Sequence, residues 1–209
     1  MIKQQTFKFN FSKTNEDEFN YFINKTNEDA YNALIKKNYK NLFLYGPKKS
    51  GKTVLGKIWL NLNNAVEFND NFEILINNRN NIFIDNFDKF NEEEIFHIIN
   101  YCNSNKLKIL ITSNLEINNI DYLIKDLSSR LKTFDYYVIN KPNDEILLNI
   151  LTKLLIEKQF IINSHEIFDY ILRRIKRSYE EIYYLVEKLD NISLEKKRQL
   201  TIPLIKEIL

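Results

Sequence analysis

One stretch of the chain has the residue types and spacing needed to hold phosphate. Gly46-Pro47-Lys48-Lys49-Ser50-Gly51-Lys52-Thr53 fits the pattern G-x-x-x-x-G-K-[ST] in full. The two glycines let backbone N–H groups wrap phosphate oxygens at the start of a helix, where the helix dipole favours negative charge. Lys52 brings a point charge to the β and γ positions, and the Thr53 hydroxyl is offered to Mg2+. The implied chemistry is the binding of a nucleoside di- or triphosphate with its magnesium ion.

Three further groups stand where they would complete such a site. Ile82-Phe83-Ile84-Asp85-Asn86 reads as an apolar strand ending in an acid that can hold Mg2+ opposite the loop. The residue after Asp85 is Asn86, where many ATPases place a second acid to polarise the attacking water. An amide cannot take a proton, and general-base catalysis is worth roughly 10² to 10⁴ in rate, so slow intrinsic hydrolysis is expected. Ile109-Leu110-Ile111-Thr112-Ser113-Asn114 brings polar residues to the end of another buried strand. Asn114 is the first candidate for sensing a γ-phosphate and Thr112 the second, with a simple strand-ending turn as the alternative. Asp126-Leu127-Ser128-Ser129-Arg130-Leu131 places Arg130 shortly before the last strand. There it can act in trans on a neighbour's nucleotide, a role worth roughly 10³ to 10⁵ in other enzymes, or simply be a solvated surface arginine.

The elements that must position these groups follow from hydrophobic periodicity. Leu42-Phe43-Leu44-Tyr45 precedes the loop as a buried strand, and Lys52 through Leu60 reads as the helix after it. Further strands are expected at Ala65–Phe68, Ile82–Ile84, Ile109–Thr112 and Tyr136–Ile139. Short apolar runs of this kind suit a parallel sheet covered on both faces. A helix is expected after Asn91 as its cap, with Glu92, Glu93 and Glu94 in a first turn that favours carboxylates. Beyond Lys141-Pro142-Asn143-Asp144 the strands stop. Helices are expected from Glu145 to Gln159, Ser164 to Ile175, Ser178 to Leu189, and from Ile202. The expected fold class is α/β, a parallel sheet sandwiched by helices and followed by a small all-helical lid.

Composition narrows the classes. The 209 residues suffice for one large domain or a domain with a lid. With 44% hydrophobic and 28% charged residues, the balance is that of an ordinary soluble globular protein. No apolar run is long enough to cross a bilayer, and Met1 to Thr6 lacks the features of an export signal, so a cytoplasmic location without a membrane partner is expected. Cys102, the only cysteine, excludes an intramolecular disulfide and is read as a helix-packing residue. Lys and Arg number 30 against 28 Asp and Glu, a formal charge of +2, which argues against a strongly basic nucleic-acid binder. A local cluster, Arg173, Arg174, Lys176 and Arg177, leaves single-stranded DNA as a minor hypothesis.

Taken in order, these elements resemble the AAA+ domain of the DnaA family of replication initiators, and more closely its shortened Hda branch, including the alphaproteobacterial HdaA form. The resemblance covers nearly the whole chain. Its most specific stretches are Phe22 to Ala30, the P-loop, Asp126 to Leu131, Arg177-Ser178-Tyr179, and the close from Leu189-Asp190-Asn191 to Ile202-Pro203-Leu204. It implies an AAA+ P-loop fold divided into an extended N-terminal segment (1–10), an α/β base (11–140) and a helical lid (141–209). It also implies a job, that of stimulating hydrolysis of ATP bound to the initiator DnaA while tethered to the DNA-loaded sliding clamp.

By the same resemblance Arg130 falls on the arginine-finger position, and Phe22, Ile23 and Asn27 on the adenine pocket. Gln4-Gln5-Thr6-Phe7-Lys8-Phe9 resembles the family's clamp-binding peptide, with Gln4, Phe7 and Phe9 as its contacts. In an extended strand Phe7 and Phe9 share one face, which suits an apolar groove on a clamp, with an edge position on the chain's own body as the alternative. The lid position where the family carries its second sensor arginine is Glu180, with Arg177 near but offset. A carboxylate repels a γ-phosphate, so ADP rather than ATP is the expected resident nucleotide and any intrinsic ATPase is expected to be weak. Family DnaA chains carry a helix-turn-helix domain after the lid, and this sequence stops at Leu209, so no sequence-specific duplex binding is expected. Self-association stays open, and an ATPase that loads or remodels replication complexes is the rival reading.

Overall fold

Five short apolar runs form strands β1 (Asn41–Tyr45), β2 (Ala65–Glu67), β3 (Asn81–Ile84), β4 (Ile109–Ser113) and β5 (Asp135–Val138). The computed structural model describes residues 21–36, 39–69, 79–162 and 164–209. The segment holding Gln4, Phe7 and Phe9 lies outside the described residues. All pairings are parallel and the sheet order is β2-β3-β4-β1-β5. In register, Leu44 lies opposite Thr112, and Ile84 opposite Ile111. With β4 between β1 and β3, the residues that leave these strands, Gly46, Asp85 and Asn114, emerge side by side at one end of the sheet. Crevices at the carboxyl ends of parallel strands are where α/β sheets place ligands.

Helices α1 (Glu28–Lys36), α2 (Lys52–Leu62), α3 (Glu92–Asn105) and α4 (Lys125–Leu131) cover the sheet. Side chains alternate across each strand. Leu42, Leu44, Phe83 and Leu110 pack with Ala30 and Leu34 of α1 and Leu55, Ile58 and Trp59 of α2. Phe43, Ile82, Ile84, Ile109 and Ile111 pack on the other side with Ile95, Ile98, Ile99 and Cys102 of α3 and Leu127 and Leu131 of α4. Cys102 is a packing residue, fully buried, and burial pushes its thiol up to about 12. Asn91 caps α3 as its position requires, its side-chain oxygen accepting from Glu93 N at 2.9 Å. Gly56 brings α2 down onto the sheet, since a Cβ there would lie 2.0 Å from Phe83 Cζ.

After β5 the chain is helical: α5 (Asp144–Glu157), α6 (Glu166–Leu172), α7 (Tyr179–Lys196) and α8 (Ile202–Lys206). Asn143, Ser178 and Thr201 cap α5, α7 and α8, accepting from Ile146 N, Glu181 N and Leu204 N. These helices enclose a core of their own, including Leu147, Leu151, Leu155, Ile171, Ile182, Leu185 and Leu189. Ile146 and Tyr179 pack instead with the base, and Ile150 touches both cores. Two departures from the sequence reading stand out. Helix α1 had no expectation of its own, and α7 runs past Leu189 to Lys196, where Lys197 takes a left-handed φ of 51° and ends it.

Candidate functional site: a phosphate loop closed by the lid

Between β1 and α2, residues Gly46 to Gly51 form a loop with two left-handed positions, Lys49 at φ 62° and Gly51 at φ 93°. Gly51 suits that conformation because it has no Cβ. Gly46 is required for a different reason: a Cβ would lie 2.8 Å from Ile139 O, so the loop runs tight against the strand end. Lys52 is buried, and its ammonium donates to Gly46 O and Pro47 O at 2.8 Å each and to Asn114 Oδ1 at 3.1 Å. Burial lowers its pKa from 10.5 to about 8, against the opposing pull of Asp85 and then Asp88.

The magnesium candidates meet across the site. Thr53 Oγ1 donates to Asp85 Oδ2 at 2.9 Å. The carboxylate's other oxygen, Oδ1, accepts from Thr112 Oγ1 at 2.8 Å, and Thr112 Oγ1 accepts in turn from Asn86 N at 2.7 Å. A hydroxyl and one carboxylate beside a phosphate loop form the hard oxygen set that suits Mg2+, which is commonly held by one or two carboxylates plus substrate phosphates. Among the described residues no group of three or more His, Cys, Asp or Glu could hold a metal by protein ligands alone.

Asn114, the first sensor candidate, stands between Lys52 and Asn86, its Nδ2 donating to Asn86 Oδ1 at 3.0 Å. Thr112, the second, is fully buried and spends its hydroxyl on Asp85 and Asn86, so it positions the acid. Asn86 adopts φ 63°, a conformation Asn tolerates better than most residues, and its amide is tied to Asn114.

The lid closes over the loop. A cleft of about 80 Å3 is lined from the base by Tyr21, Phe22, Asn27, Lys49, Ser50, Gly51 and Val54, and from the lid by Ile146, Ile150, Tyr179 and Tyr183 among others. The Lys49 ammonium lies 5.4 Å from the Tyr183 ring centroid, a cation–π contact joining lid to loop. The cleft is small beside ligand pockets, which usually begin near roughly 300 Å3. Phe22 and Asn27 line this cleft. Ile23 is 45% exposed and lies outside the cleft lining. The Asn27 side chain fixes this turn by donating to Phe22 O at 2.7 Å and accepting from Asn24 N at 2.9 Å.

Sequence reasoning missed Tyr21, Val54, Tyr179 and Tyr183. Tyr179 and Tyr183 were within reach, because Ser178 is a readable helix cap and residues four apart share a helix face. Tyr21 carried no such signal. Glu180 is exposed in the first turn of α7, and Arg177 is turned to Asp144, with Nε donating to Oδ1 at 2.8 Å and an NH2 group to Oδ2 at 3.2 Å. Of the basic cluster, Arg174 lies over the Tyr170 ring at 3.6 Å. Arg130 sits at the end of α4, half-buried, its guanidinium 4.9 Å from the Phe96 ring centroid. Among the described residues no helix is long and apolar enough to cross a membrane.

A family model described as "Hda, lid domain" matches residues 146–209. The chain is 27% identical over 200 residues to the chromosomal replication initiator protein DnaA of Buchnera aphidicola subsp. Cinara cedri, covering 82% of this chain and 46% of that one. It spans about half the length of the curated relatives it matches. Domain III of the replication initiation protein DnaA from Thermotoga maritima superposes with a TM-score of 0.72 at 17% identity, covering 91% of this chain and 93% of that one. AMPPCP-bound DnaA from Aquifex aeolicus gives 0.65 at 18% identity, with 84% and 65% covered.

The sheet order, the phosphate loop and the helical lid place the protein in the AAA+ class of P-loop folds. Within that class its sequence is similar to DnaA over 82% of the chain, and residues 146–209 match the Hda lid domain.

Proposed function

We propose that this protein regulates the start of chromosome replication by binding an adenine nucleotide and stimulating hydrolysis of ATP held by the initiator DnaA. The observation that carries this reading is the Hda-type lid over residues 146–209, joined to a base with a complete phosphate loop. We assign residues 1–10 as a clamp-binding segment, 11–140 as the nucleotide-binding base and 141–209 as the lid, in a cytoplasmic protein. Gly46 to Thr53 hold the phosphates, Lys52 neutralises them, and Thr53 with Asp85 would hold Mg2+, which offsets phosphate charge when bound.

ADP is the resident nucleotide in this reading. Asn86 offers no base beside Asp85, and Glu180 stands where an arginine would favour a third phosphate. Chemistry therefore happens on the partner's nucleotide. Arg130 leaves Phe96 and enters the initiator's site, where a guanidinium offsets charge developing on the transferring phosphate. Gln4, Phe7 and Phe9 bind the sliding clamp and so raise the local concentration of this protein near initiator on DNA.

A reconstitution tests the reading, using DnaA–ATP, DNA-loaded clamp and this protein. ATP turnover should rise, and Arg130→Ala should remove most of a roughly 10³-fold or larger effect. No stimulation, or equal stimulation by Arg130→Ala, refutes it. Clamp affinity should collapse in a Phe7→Ala, Phe9→Ala double variant. Brisk ATP hydrolysis by the purified protein alone would favour the loader reading instead.

A further inference from the structure

We infer that Tyr21 is a nucleoside-binding residue whose hydroxyl donates a hydrogen bond to an acceptor on the sugar or base of a bound nucleoside diphosphate. The inference rests on the reading of the cleft as a nucleotide site. Two buried hydroxyls on this one cleft, Tyr21 Oη and Ser50 Oγ, have no hydrogen-bond partner among the described residues. Buried polar groups in native proteins are nearly always paired, and an unpaired one is costly. Ser50 belongs to the phosphate loop and faces phosphate chemistry. Tyr21 lies one element away, on the side of the cleft formed by the turn before α1.

The Tyr21 ring is fixed before any ligand arrives. It rests against Gly51, where an added Cβ would meet Cε2 at 2.6 Å, and it stacks on Tyr31 with centroids 6.3 Å apart and planes 11° from parallel. Burial dominates and raises the phenol's pKa against an opposing approach of the Asn27 side chain, whose amide is engaged with Phe22 O and Asn24 N and makes no hydrogen bond of normal geometry to Tyr21 Oη. The phenol therefore stays protonated and is a donor. Tyr179, the other buried phenol of the cleft, spends its hydroxyl on Asn140 O at 3.2 Å. A donor held still by stacking gives up little freedom on binding, so its contribution is realised in affinity.

The experiment is titration calorimetry of Tyr21→Phe and the parent with Mg–ADP and with Mg–pyrophosphate, together with thermal unfolding of both ligand-free proteins. One hydrogen bond corresponds to about a fivefold loss, so Tyr21→Phe should bind ADP roughly fivefold more weakly. Its pyrophosphate affinity should match the parent's. The ligand-free variant should melt at or above the parent's temperature, because the hydroxyl removed had no partner. Unchanged ADP affinity, or equal loss for ADP and pyrophosphate, overturns the inference. If the parent binds neither ligand, and Lys52→Ala behaves like it, the nucleotide reading itself fails.

Discussion

Replacing Gly56 with alanine sets two opposing terms against each other, and the structure decides which wins. In a helix interior alanine is favoured over glycine by about 1 kcal/mol. At Gly56, however, the new methyl would lie 2.0 Å from Phe83 Cζ, 2.4 Å from Cε2 and 2.7 Å from Cε1. Carbon atoms in contact sit near 3.5 Å, so ring and helix must separate by about 1.5 Å. Phe83 is fully buried on β3, among Leu55, Ile58, Trp59 and Leu110, and has nowhere to retreat. Overpacking of this sort costs about 1 to 3 kcal/mol, and a clash this severe belongs at or above the upper end. The expected net loss is about 2 kcal/mol, or a fall in melting temperature of roughly 4–8 °C for a domain of this size. Chemical denaturation of Gly56→Ala measures it, and the double variant with Phe83→Leu should recover much of the loss through a coupling of about 1 kcal/mol or more. Because Phe83 lies two residues before Asp85, Mg–nucleotide binding should weaken in the single variant and return in the double. A Gly56→Ala protein as stable as its parent would refute the packing argument.

Lys52 links nucleotide binding to pH. With its pKa at about 8 in the ligand-free protein and 10.5 unfolded, its contribution to stability rises as pH climbs from about 8 toward 10.5. A bound diphosphate raises that pKa again, so ADP binding at pH 8.5 should take up protons, and affinity should fall at still higher pH. Calorimetry in buffers of differing ionisation enthalpy detects the uptake, and its absence refutes the assignment. Thr112→Val leaves Asn86 N unpaired and frees one oxygen of Asp85. It should cost about 1 to 3 kcal/mol in urea unfolding and weaken nucleotide binding more with Mg2+ than without. Asn86→Asp places a carboxylate next to Asp85 in a backbone conformation that Asp tolerates. Intrinsic ATP turnover should rise tenfold or more with ADP affinity little changed, and turnover no higher than the parent's refutes the missing-acid explanation.

The sheet was legible because its inner strands β1, β3 and β4 are short, apolar and mostly buried, and because each leads at once into a glycine or polar residue, Gly46, Asp85 and Asn114. The phosphate loop was legible because its glycines are the rule and not the exception at such turns. What escaped was set by tertiary contact. Nothing in the residues around Tyr21 says that its ring will rest on Gly51, since that contact joins segments thirty residues apart. Asn114 and Thr112 were the first and second sensor candidates; Thr112 is buried inside β4 with its hydroxyl spent on Asp85 and Asn86, while Asn114, just past the strand end, reaches Lys52. Ile23 entered the adenine pocket only by likeness to the family, and beside the Asn24–Asn27 turn it is 45% exposed and outside the cleft lining. Helix α7 outran its expected end because Asp190 and Asn191 do not halt a helix whose buried side chains continue through Leu189 and whose left-handed stop comes only at Lys197.

The two cores bear on how such a protein can diversify. Leu147, Leu151, Leu155, Ile182 and Leu189 satisfy one another within the C-terminal helices, while Ile146, Ile150 and Tyr179 straddle the seam. Mutations that redraw the outer skin of those helices away from Tyr183 and the cleft are thus insulated from the grip on phosphate, and can accumulate under selection for a new binding companion. A lineage could re-address the molecule while inheriting its phosphate loop intact, provided the side chains at the joint and Tyr183 over the loop are kept.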